Sequence, residues 1–82
     1  MIWELNKYYK IYGKNTKDYN VLIVKPTKYL GCDEKGVDEY ECKILYDNDS
    51  GSNNWQGKKH SIHPEWWNFV KINREDALSV AL

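Results

Sequence analysis

Apolar and polar positions alternate with a period of two in several short stretches of the chain, the pattern of half-buried β-strands. Over residues 8–12, Tyr9 and Ile11 share one face while Tyr8, Lys10 and Tyr12 share the other. The stretch 13–18 is polar and carries Gly, Asn and Asp, so it predicts a turn. Residues 19–25 are rich in β-branched side chains and apolar on both faces through Val21, Leu22, Ile23 and Val24, which predicts the most buried strand. Pro26 either ends that strand or marks a departure from its ladder. Residues 31–38 are charged and punctuated by two glycines, an exposed loop.

Further on, Tyr40, Cys42, Ile44 and Tyr46 alternate with Glu41, Lys43 and Leu45, a half-buried strand with one mostly polar face. The run DNDSGSNN, 47–54, has no apolar residue and is dense in turn formers, so it predicts the most mobile segment. A fourth strand is expected within 57–63 and a fifth over 66–72, where Trp66, Asn68, Val70 and Ile72 oppose Trp67, Phe69 and Lys71. In the tail, Asn73 can cap a helix, Glu75 and Asp76 suit its first turn, and Ala77, Leu78, Ala81 and Leu82 form a short apolar stripe. One or two helical turns would close one end of the sheet.

Five short strands within one small chain predict a mainly β domain. Its form is a five-stranded barrel, closed or nearly so, or a strongly bent antiparallel sheet, with a short C-terminal helix. The 82 residues make a single domain, 1–82, because a chain this short buries only about 60–65% of its unfolded surface and cannot divide that core in two. The segment SIHPEWWNFVKI, 61–72, resembles the end of an SH3-type barrel, where a strand enters a proline-containing turn and a last strand follows. The opening KYYKIYG, 7–13, is similar to the aromatic first strand of such domains. The resemblance implies an SH3-like topology. It does not carry a proline-peptide function, because the acidic loop with which SH3 domains read basic peptides has no counterpart and the paired tryptophans are displaced toward the C-terminus.

Composition narrows the function. Two cysteines are too few for a disulfide framework, and no apolar run of signal-peptide length follows Met1, so a reducing, cytoplasmic location is expected. The longest apolar run, 21–24, is far short of a membrane span. Twelve basic and twelve acidic residues cancel, which disfavours generic polyanion binding, and Arg74 is the only arginine, which counts against base-specific DNA reading. Four Trp, seven Tyr and one Phe are more large rings than so small a core can enclose, so some are expected on the surface, where aromatics serve as binding anchors.

Three kinds of chemistry follow from these residues. Cys32, Cys42, His60 and His63 are zinc-type ligands, but nine residues separate the cysteines and two the histidines, spacings unlike a zinc knuckle. An inert buried Cys42 and a loop Cys32 are the simpler expectation, and no cofactor is expected. Serine, cysteine and histidine occur without any catalytic spacing, so the chain is expected not to be an enzyme. Binding remains. Trp55, His60, His63, Trp66 and Trp67 beside the 47–54 loop form the expected contact patch for another protein or for a second copy of the chain. The alternative ligand is a single-stranded nucleic acid, held by Lys58 and Lys59 between Trp55 and Trp66 or by the lysines and tyrosines of 7–10. For that ligand the simpler reading is that Trp66 or Trp67 plugs the core while Lys58 and Lys59 are a solvated strand edge. Chains of this size and composition also resemble accessory proteins of phages and mobile elements. That resemblance implies an inhibitor of a host protein or defence system acting by occlusion.

Overall fold

The computed structural model describes residues 2–14, 20–49, 51 and 53–81. Five strands, β1 (Tyr8–Gly13), β2 (Val21–Cys32), β3 (Asp38–Asp47), β4 (Lys59–Ile62) and β5 (Trp67–Ile72), form one antiparallel sheet in the order β4-β3-β2-β1-β5, followed by helix α1 (Arg74–Ala81). The sheet is not closed, since β4 and β5 are its two edges. The five-stranded antiparallel arrangement expected from the sequence is therefore present as one sheet, and full closure into a barrel is not. The turn expected over 13–18 lies mostly outside the described residues, as do Tyr19, Ser50, Ser52 and Leu82.

β2 does not stop at Pro26. Pro26 pairs with Cys42 and Lys28 pairs with Glu41, so Thr27 is an extra residue, and Leu30 is a second one between Tyr29 and Gly31. Such bulges bend a strand and increase its twist. A third shift, at Leu45 on β3, moves Tyr46 out of phase with Tyr40, Cys42 and Ile44, and Asp47 takes the inward position opposite Leu22. The β2–β3 hairpin turns through Asp33, whose carboxylate accepts the N–H groups of Lys35 and Val37. Gly36 sits in the left-handed region there, φ 79°, which a side chain would strain.

The inner face carries the core: Tyr9, Ile11, Leu22, Val24, Tyr40, Cys42, Ile44 and Ile62 pack around Trp3, which is 1% exposed. Trp3 is the plug, and Trp66 and Trp67 are not. Its indole stacks on Tyr9 at 5.0 Å between centroids and meets Phe69 edge-on at 5.6 Å. The segment is fastened by its own backbone. The N–H of Trp3 donates to the Tyr40 hydroxyl (3.0 Å), that of Glu4 to the Tyr9 hydroxyl (2.9 Å), and that of Asn6 to the Pro26 carbonyl (2.7 Å). Burial raises the pKa of the Tyr40 phenol, so its oxygen accepts as a neutral hydroxyl. The Nε1 of Trp3 is buried with no hydrogen-bond partner among the described residues.

Ile23, between two inward residues of β2, faces the other way and is fully buried without belonging to that core. Helix α1 packs against β1 and β3, the strands flanking β2, so it crosses the outer face where Ile23 points, and Ala77 is buried there. Asn73 caps the helix by accepting the N–H of Asp76 (2.7 Å). The tail thus covers part of a face rather than an end of the sheet. None of the described helices is long and apolar enough to cross a membrane.

Candidate functional site

On β3 and β4 the pairs Tyr40–Ile62 and Cys42–His60 point inward, while Glu41–Ser61 and Lys43–Lys59 point outward. The same alternation brings His63 to Glu39 on the outer face, with Nε2 of His63 3.4 Å from Oε2 of Glu39. Pro64 then starts a single 3-10 turn, Pro64–Trp66, where its fixed φ fits and its missing N–H costs nothing. The N–H of Trp66 donates to the His63 carbonyl (3.0 Å), which folds the indole back onto the imidazole at 4.0 Å and 21°. Trp66 is nevertheless 62% exposed. One indole face is held by His63 and the side chain remains open to solvent, so much of the rotamer entropy that binding would remove is already lost.

Trp55 and Trp67 lie elsewhere. Both pack against the inner core, and Trp55 stacks on His60 at 4.1 Å. Together with Asn20, Leu22, Asp47 and Asp49 they line a pocket of about 210 Å³. The loop beside it is tied down in its described residues. Asp47 accepts the N–H groups of Asp49 (2.9 Å) and Trp55 (2.8 Å), Gly51 donates to Asp49 (2.8 Å), and the Asn54 amide reaches the carbonyls of Asp47 and Asp49. In its described residues the segment carries short-range side-chain-to-backbone bonds, the use to which Asp and Asn are suited.

The contact patch expected from the sequence is therefore divided: His63 and Trp66 form an outer platform, whereas Trp55, His60 and Trp67 belong to the inner rim. The single-strand constellation is divided as well, because Lys59 faces outward while Trp55 packs inward. Lys58 and Lys59 are both exposed.

Cys42 and His60 are paired across β3 and β4, and burial pushes the Cys42 thiol up to about 12. Cys32 and His63 line a separate shallow cavity of about 130 Å³ with Leu30, Val37 and Glu39. Among the described residues no three His, Cys, Asp or Glu side chains are grouped to hold a metal ion. Near that cavity, Asp38 accepts the Tyr29 hydroxyl (2.7 Å) and the N–H of Ile2 (3.1 Å). The bond with Tyr29 holds the Asp38 carboxyl below its ordinary range and pushes the phenol up to about 12.

Two arrangements were not legible in the sequence. Trp3 has no periodic neighbours to mark it as core. The outward lysines Lys25, Lys43 and Lys59 fall opposite one another only through a register displaced by bulges.

Compared with protein-family models, with curated proteins and with solved structures, the chain matches none.

Proposed function

We propose that this chain is a non-catalytic binding module of SH3-like topology whose ligand is another protein, with Trp66 as the anchor. The observation that carries the reading is the platform itself: a tryptophan 62% exposed yet fixed on His63, with Glu39 behind it. A large apolar side chain that is both open and pre-ordered is the arrangement of a binding hot spot. Strand order β4-β3-β2-β1-β5, with a 3-10 turn between β4 and β5, supports the SH3-like assignment. Within this reading the protein acts in the cytoplasm as a phage or mobile-element inhibitor that occludes a host protein or defence factor. Its size and composition support that finer statement.

The test is affinity capture from host lysate, with and without nuclease, using wild-type protein and Trp66→Ala. One protein enriched in both lysates and lost with Trp66→Ala is the expected result. Capture that survives Trp66→Ala removes the anchor, and a stable dimer in light scattering that Trp66→Ala dissociates makes the ligand a second copy.

A further inference from the structure

Lys25 pairs with Lys43 on the neighbouring strand, and Lys43 pairs with Lys59 on the next, so three lysines stand in one row across β2, β3 and β4 on the outer face. Neighbouring strands are about 4.8 Å apart, which makes the row about 10 Å long. Like charges directly opposite are unfavourable in a sheet. A lysine on an edge strand is a common guard against aggregation, which accounts for Lys59 on β4 but not for Lys25 and Lys43 on interior strands. Among the described residues none of the three is in an ion pair. The nearest acid on this face of β3, Glu41, pairs in register with Lys28. Lys58 adds a further exposed charge beside Lys59. At its inner end the row meets an aromatic ring, with Lys25 Nζ 5.7 Å from the Tyr8 centroid.

We infer that this row is a docking site for the phosphodiester backbone of a single-stranded nucleic acid, an activity separate from the Trp66 anchor. Charge complementarity requires an anionic occupant. Lysine rather than arginine selects among anions: protein interfaces are enriched in arginine and depleted in lysine, whereas lysine binds phosphate as a point charge without a fixed fork. A short line of point charges beside a tyrosine suits a strand whose phosphates are tracked and whose bases are free to stack. It offers nothing to read a duplex groove. The neutral net charge of the chain conceals the row, because twelve acidic residues offset twelve basic ones over the whole chain.

The probe is a fluorescein-labelled fifteen-nucleotide oligothymidylate, titrated by anisotropy between 50 and 200 mM salt. Three lysine–phosphate contacts predict a log–log salt slope of about −2, an affinity loss of about 20-fold over that range. Each single Lys→Gln change in the row should flatten the slope by about 0.7. Combining Lys25→Gln, Lys43→Gln and Lys59→Gln should abolish binding, while the three Lys→Arg changes retain it. Circular dichroism must show all variants folded. Trp66→Ala should leave oligothymidylate binding within twofold, so that failure of the anchor and failure of the row are separate results. Absence of binding at 50 mM salt, binding unaffected by the triple Gln variant, or tighter binding of a polyglutamate peptide of equal charge would each overturn the assignment.

Discussion

The inner and outer faces of the sheet are built by the same strands and use their aromatic side chains oppositely. Inside, Trp3, Tyr9 and Tyr40 are packed together, and the tyrosine hydroxyls accept backbone N–H groups, so each ring fills volume and also satisfies the polar groups that come with the N-terminal segment. Outside, Trp66 rests on one imidazole and lies outside the core cluster, while like-charged lysines stand opposite one another across neighbouring strands. The difference shows that aromatic content alone does not reveal a binding surface. What separates the two uses is whether a ring is enclosed by several elements or supported by one.

The largest expected effect comes from Trp3→Ala, which empties the centre of the inner face and should cost about 3–5 kcal/mol in urea unfolding. A fall of less than about 1 kcal/mol would deny Trp3 its place as plug. Next, Tyr40→Phe leaves the buried N–H of Trp3 without an acceptor and should cost about 1–3 kcal/mol, with near-native circular dichroism. The Asp38–Tyr29 bond acts on pH dependence. The carboxyl of Asp38 is depressed on folding, so its contribution is complete above the ordinary value of 3.8 and is lost as pH falls through the lower folded value. The phenol of Tyr29 is raised, so its contribution is complete below 10.0 and is lost as pH rises toward about 12. Melting temperatures across pH should therefore lose part of their acid decline in Asp38→Asn and part of their alkaline decline in Tyr29→Phe. An unchanged profile in both would contradict the bond.

Smaller effects separate the faces further. Iodoacetamide at pH 8 should label exposed Cys32 and spare Cys42, whose thiol stays protonated and enclosed until the chain unfolds. On the outer face, Lys43→Gln removes the middle charge of the row and should stabilise the fold by about 0.2–1 kcal/mol. Destabilisation would mean that the ammonium has a structural partner.

Much of the fold was legible because alternation is a local property. Tyr9 and Ile11 on one face, the doubly apolar stretch through Val24, the Asn73 cap and all five strands follow from neighbours in sequence. The rest depends on pairing. Pro26 proved compatible with a continuing strand because a bulge follows it, and Leu45 reversed the phase of Tyr46, neither of which composition encodes. The site was legible only in part for the same reason. Trp66 and Trp67 are adjacent in sequence, and only the 3-10 turn after His63 decides that the first is exposed and the second lines the inner pocket. Trp3 was missed because its burial is created by tertiary contacts with Tyr9, Tyr40 and Phe69 rather than by any pattern around it.

The most direct test of the division between a folding face and the proposed binding face is the urea unfolding free energy of Trp66→Ala beside that of Trp3→Ala. Loss of a single ring stack predicts a cost of at most about 1.5 kcal/mol for Trp66→Ala, well below the cost at Trp3. Equal losses in the two variants would contradict the account, because Trp66 would then be a structural residue and the outer platform no longer a surface kept for a partner.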